Sequence, residues 1–145
     1  MAKAVLDTTV LVSALLRHVP GGASCEFLRL AQEGAYELYL SDDILEETAR
    51  VLLTSERIRK RYRYSDADAA EFCQLLAQSA TIVSDVPELT VVRDPNDNMI
   101  VACAIAARAD YLVTRDRDML SLGEYEGVSI VTPEAFLQML RQQAV

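Results

Sequence analysis

The sequence predicts a three-layer α/β/α domain built on a central parallel sheet. Two observations carry this. Short apolar runs bounded by turn or capping residues alternate with longer helical patterns along the chain, as in strands joined by crossover helices. The opening strand run is also apolar throughout rather than at every second residue, as in parallel strands covered on both faces.

The first strand is expected at Ala4-Val5-Leu6, followed by Asp7-Thr8-Thr9 and a helix to about Leu16. Gly21-Gly22 breaks the chain before a second helix near Ser24–Ala31, which Gly34 closes. Tyr36–Leu40 is the next strand, and Ser41 and Asp42 cap a helix to about Leu53. A basic stretch precedes a helix over roughly 65–78 with Ser65 as its cap. Thr81-Ile82-Val83 is a short strand, and Thr90–Val92 is a candidate for another. Asp94-Pro95 starts the most apolar helix, running to about Ala107, because Pro suits the first helical position. Tyr111–Val113 is a strand ending in Thr114-Arg115-Asp116. Val128–Val131 is the last strand, and Thr132-Pro133 opens the terminal helix.

With 145 residues, the chain is expected to form a single domain, 1–145. Its 51% hydrophobic content argues against disorder. A net charge of −8 argues against a general nucleic-acid coating protein, but not against an enzyme whose acid is concentrated in one site. Cys25, Cys73 and Cys103 fall inside apolar helical patterns without metal-ligand or redox spacing, and are expected to be buried free thiols in a reducing cytoplasm. His18 is the only histidine, which excludes a histidine zinc cluster, and a Ser-His-Asp triad lacks support. Neither a signal peptide nor a membrane span is visible in the sequence.

Four acids fall where elements begin or end, or on a helix flank: Asp7, Glu47, Asp97 and Asp116. Ligands of open parallel sheets bind beyond the carboxyl ends of the strands, where Asp7 and Asp116 lie. Buried carboxylates are costly to keep charged unless something offsets them. Hard cations such as Mg²⁺ or Mn²⁺ do so, because they take oxygen ligands and leave positions for phosphate and water. Each acid has a plainer role as well. Asp97 complements a helix dipole, and Asp7 makes a helix-entry turn. Glu46 and Glu47 differ in phase: at about 100° per residue Glu46 points away from the apolar face of Ile44, Leu45, Thr48, Val51 and Leu52, while Glu47 sits on its flank. Asp118, in TRDRDML, either adds a metal contact or caps the following turn. Asp94 and Asn96 suit capping and turn roles, and Asn98 stays open.

The stretches VLDTTVLVSALL, SDDILEETARVL and DPNDNMIVACAIAARADYLVTRD, with the chain length, resemble the PIN-domain nucleases. Within that family the resemblance is closest to the toxin components of bacterial and archaeal toxin–antitoxin modules (VapC-like). It spans nearly the whole chain and is most specific from Asp94 to Asp116. It implies acidic metal ligands at Asp7, Glu47, Asp97 and Asp116, a supporting hydroxyl at Thr114, a cytoplasmic homodimer and an antitoxin partner. One position departs: the family's Asp-Thr-Asn is Asp7-Thr8-Thr9 here, which replaces an amide by a hydroxyl.

The expected activity is hydrolysis of RNA phosphodiesters assisted by Mg²⁺ or Mn²⁺, with Thr8, Ser41 and Thr114 supporting the site. Arg57, Arg59, Lys60, Arg61 and Arg63, interleaved with Tyr62 and Tyr64, suit phosphates and unpaired bases, an acidic partner surface, or a solvated helix end. Two rivals remain. One is a PIN-fold RNA-binding or regulatory module impaired in cutting, for which Thr9 is the motive. The other is an aspartyl-phosphate protein using Asp7, which lacks a second Asp two residues on.

Overall fold

The computed structural model describes residues 1–16 and 23–143, with the side chains in that range except at 15 and 23–25. The Gly21-Gly22 break, His18 and the Cys25 side chain therefore lie outside the described residues. In order, the elements are β1 (Lys3–Leu6), α1 (Thr8–Leu16), α2 (Ala23–Gln32), β2 (Glu37–Ser41) and α3 (Asp42–Thr54). Then come α4 (Glu56–Arg61), α5 (Asp66–Ser79), β3 (Ala80–Val83), α6 (Pro95–Ala106) and β4 (Tyr111–Val113). The chain ends with α7 (Arg117–Leu120), β5 (Glu124–Tyr125), β6 (Val128–Val131) and α8 (Pro133–Gln143).

The strands form one sheet in the order β3-β2-β1-β4-β6-β5. All neighbours are parallel except β5 on β6. The steps β1→β2→β3 travel one way across the sheet, and β3→β4→β6 travel the other. Right-handed crossovers put helices on opposite faces when the direction reverses, giving three layers, as the sequence predicts. On one face α6 packs over β1, β2 and β4.

The reversal falls between β1 and β4. Their carboxyl ends therefore splay from adjacent strands, the crevice where open α/β sheets bind ligands. The backbone holds these ends in register: the Asp7 N–H donates to Val113 O at 3.0 Å and the Thr114 N–H to Val131 O at 3.0 Å.

The core is apolar from β1 outward. Ala4, Val5, Leu6, Leu112 and Val113 of the two central strands are buried, as are Ile100 to Ala104 of α6. At the other end Phe136 of α8 packs edge-on against Tyr36, with ring centroids 5.1 Å apart, and Tyr36 donates to Phe27 O at 2.8 Å. Gly34, at φ +81°, ends α2 as expected.

Four findings depart from the sequence reading. Thr90–Val92 is not a strand but an irregular approach to α6. Helices α4 and α7 and strand β5 form where no element is predicted. Cys73 is only half-buried, because it sits on the flank of α5 rather than beneath it, whereas Cys103 is fully buried. The last strand is preceded by an antiparallel partner, so the sheet is not wholly parallel. Among the described residues no helix is long and apolar enough to cross a membrane.

Candidate metal centre and the cleft beside it

Asp7 follows the end of β1 and is 5% exposed. Its backbone carbonyl accepts from Leu11 N at 3.0 Å, so it opens α1. Its Oδ2 accepts from Thr114 Oγ1 at 2.7 Å and from Thr9 Oγ1 at 3.3 Å. Burial pushes its carboxyl up from the ordinary value, and the bonds from Thr114, Thr9 and the Thr8 and Thr9 backbone pull it back. Thr9, the departure from the family pattern, thus touches the acid directly.

Thr114 is wholly buried one residue beyond β4. While its hydroxyl donates to Asp7, it accepts from the Asp116 N–H at 3.0 Å. Asp116 in turn caps α7, its Oδ2 accepting from Met119 N at 3.0 Å. This follows from sequence: Thr-Arg-Asp after a strand offers a hydroxyl and a carboxylate to backbone donors the strand no longer satisfies.

Asp97 reaches the same edge from the first turn of α6. Asp94 caps that helix through Asn96 N at 2.9 Å, with Pro95 at its first position. Burial pushes the Asp97 carboxyl up to about 7, reinforced by the charges of Asp116, Asp7, Asp94 and Asp118, in that order. A helix N-terminus ordinarily favours a carboxylate. Burial, with the crowding of like charge added to it, overrides that preference here.

The approach to α6 is held by Asn98, which sequence reasoning left open. Its Oδ1 accepts from Val91 N and Val92 N, and its Nδ2 donates to Val92 O, each at 2.8 Å. Those backbone groups would otherwise seek a neighbouring strand. This explains why an apolar run of strand-forming residues stays irregular.

Glu47 lies on the flank of α3, its side chain 16% exposed, while Glu46 faces outward. Both its oxygens are taken by Arg50, from Nε at 3.0 Å and Nη2 at 2.5 Å. The sequence reading missed Arg50, although the three-residue spacing on one helix is the ordinary signal for such a pair. Asp118 is exposed and bridges to Arg93 at 3.1 Å. Ser41 is buried and caps α3 through Ile44 N at 3.2 Å, beside the Cys103 thiol. Thr8 begins α1 and faces the cleft described next.

That cleft, about 680 Å³, lies between α1 and the α3–α4 turn. Thr8, Thr9, Arg50, Arg57, Arg61 and Tyr62 are among its lining residues. Arg61 lies over the Tyr62 ring, 5.6 Å from its centroid. The basic segment therefore divides. Arg57 and Arg61 face the cleft, whereas Lys60 and Arg63 are exposed outside its lining. Arg59 is turned inward to Leu52 O at 3.2 Å and Asp66 at 2.7 Å, over the Tyr64 ring.

Among the described residues no three acidic, His or Cys side chains converge closely enough, as they stand, to hold one ion. In kind the donors fit a hard divalent cation: they are all carboxylates, and beside burial the charges of Asp116 and Asp7 contribute to the shift of Asp97. Glu47 meanwhile is turned to Arg50.

A doubly wound sheet with acids at its topological switch point defines a class of α/β proteins that act at that crevice. Residues 3–118 match the PIN domain family, and the chain belongs to it. PIN domains are typically nucleases, and such nucleases generally use divalent metals. No curated protein sequence matches the chain. Its fold is shared with PAE2754 from Pyrobaculum aerophilum: TM-score 0.64, 17% identity, over 98% of this chain and 91% of that one. It is shared also with VapBC2 from Rickettsia felis bound to a DNA fragment from their promoter: TM-score 0.60, 16% identity, over 90% and 98%.

Proposed function

We propose that this PIN-domain protein is a Mg²⁺- or Mn²⁺-dependent endoribonuclease, the toxin of a toxin–antitoxin pair. The observation that carries the reading is the gathering of acids where β1 and β4 end. The Thr114 hydroxyl bonds both Asp7 and the Asp116 amide, and Asp97 stands near enough that, after burial, their charges help push its carboxyl up to about 7. Acids gathered at the cost of mutual repulsion are a feature of a site built for a cation.

Asp7, Asp97 and Asp116, with Glu47 from α3, would hold the metal, and Asp118 lies at the margin. When bound, a divalent ion activates water and offsets charge on the scissile phosphate. The chain's own residues do the rest. Thr114 keeps Asp7 in one rotamer and ties it to the turn bearing Asp116. Thr9 and Thr8 border both the acid and the cleft, so the scissile group would lie where the cleft meets the sheet edge. Arg57 and Arg61 would take phosphates of the strand, and Tyr62 offers a face to an unpaired base. An Asp7 phosphoacceptor is less compatible, because the carboxyl is buried and its Oδ2 already accepts two hydroxyls.

The VapBC2 likeness supports a protein antitoxin as partner, one that would mask this edge. A cytoplasmic homodimer remains part of the reading. Cleavage of single-stranded RNA, measured against added Mn²⁺ or Mg²⁺ in the wild type and in Asp97→Asn, tests it. Metal-dependent cleavage lost in the variant is the expected result. RNA binding without cleavage at any metal concentration would instead favour a binding or regulatory module, with Thr9 in place of Asn as its cause.

A further inference from the structure

The pair between Glu47 and Arg50 has two features that helix pairing alone does not require. Both carboxylate oxygens are engaged, in the parallel fork that guanidinium and carboxylate form. Arg50 also lines the cleft, with Arg57 and Arg61. The carboxylate is sunk into the surface at 16% exposure while its partner stands 60% exposed. The arginine is therefore the member with open space to turn into, and it lines the cleft a nucleic-acid strand would enter.

We propose that Arg50 is a positioning residue with two stations: it holds Glu47 while the cleft is empty, and turns to a backbone phosphate when Glu47 is drawn to the cation. This rests on the reading of Glu47 as a metal ligand. The fork takes one lone pair on each oxygen, and a cation brought to the same carboxylate repels the guanidinium, so metal binding at Glu47 weakens the fork. A phosphodiester offers two non-bridging oxygens on its tetrahedral phosphorus, which the guanidinium fork also takes as a pair, so the released Arg50 has an alternative partner within the cleft. The two binding events then support one another. Cation binding frees a phosphate ligand, and phosphate binding removes a competitor for Glu47, with equal coupling in each direction.

The test measures Mn²⁺ affinity by calorimetry without RNA, and binding of a single-stranded phosphorothioate RNA, which resists hydrolysis, with and without Mn²⁺. Arg50→Gln should move the two affinities in opposite directions. Mn²⁺ should bind about two- to fivefold tighter, the range of an exposed ion pair released. RNA should bind more weakly, and the loss should be larger with Mn²⁺ present. Arg57→Gln should weaken RNA binding without the gain in Mn²⁺ affinity. In a Glu47→Gln background, adding Arg50→Gln should give no further gain. An Mn²⁺ affinity unchanged or weakened in Arg50→Gln overturns the proposal, as does an equal gain in Arg57→Gln, which would mark a general charge effect. No Mn²⁺ binding by the wild type, or full binding by Glu47→Gln, would instead remove the metal-ligand reading beneath it.

Discussion

Thr114 donates its hydroxyl to Asp7 at 2.7 Å and accepts the Asp116 N–H at 3.0 Å, so one buried side chain joins the ends of β1 and β4. Thr114→Val keeps the shape and deletes both bonds. A buried carboxylate that loses its donor costs about 1–3 kcal/mol, and the Asp7 carboxyl should rise further, since the Thr114 bond holds it down. A lower melting temperature and weaker Mn²⁺ binding are expected, with recovery in Thr114→Ser. Unchanged melting would mean that the hydroxyl is dispensable.

Asp97 gives the metal-free protein a distinctive pH dependence. Its folded carboxyl titrates at about 7 against an ordinary 3.8. Between those values the folded state holds a proton that the unfolded state has released. Stability should therefore fall as pH rises from about 4 to about 7, and stay low above that. In chelator, Asp97→Asn should remove much of that fall, melting higher than wild type in mildly alkaline buffer and close to it in acid. Added Mn²⁺ should stabilise the wild type most at the alkaline end. Melting curves across pH with chelator or Mn²⁺ read all three effects.

The two adjacent glutamates separate by helix phase. Glu47→Gln should lower RNA cleavage by about a hundredfold, the order of a lost positioned electrostatic group. Glu46→Gln, on the exposed side of α3, should leave it nearly unchanged. Equal losses would put the cleavage site elsewhere.

The divided basic segment predicts divided phenotypes. Each phosphate contact on a single strand contributes about 0.7 to the slope of log affinity against log salt. Replacing both Arg57 and Arg61 by Gln should flatten that slope by about one and a half units and spare the metal response. Arg59→Gln should act on melting instead, because its partners are Leu52 O and Asp66. A slope unchanged by the double variant, with antitoxin binding lost, would make the cleft a partner surface.

Strands β1, β2, β3, β4 and β6 were legible as short β-prone runs bounded by caps or turns, and Asp7 and Asp116 because they follow the apolar runs of β1 and β4. That Glu46 faces outward while Glu47 lies on the flank followed from one angle. What escaped has particular causes. Helix α4 buries none of its residues, so ERIRKR carries no apolar period to read. Strand β5 is two residues long, and its hairpin turns on Glu126 at φ 50° and Gly127 at φ 83°. Asn-Gly or Asp-Gly would have announced that turn; Glu-Gly does not. Thr90–Val92 has strand-forming residues, yet Asn98, six to eight positions later, supplies the hydrogen bonds a neighbouring strand would have made. Side-chain partners of that kind are invisible to periodicity.

The acids differ in what anchors them. Asp7 and the Thr114–Asp116 turn grow from the two innermost strands, with amides locked into the ladder. Asp97 and Glu47 ride on helices, one entered through an irregular segment pinned by a single asparagine, the other clasped by a surface arginine. The crevice therefore works like a vice with one fixed jaw and one sliding jaw. Amide exchange should be slowest at Asp7 and Thr114, and any adjustment to an ion's size must come from the helical side.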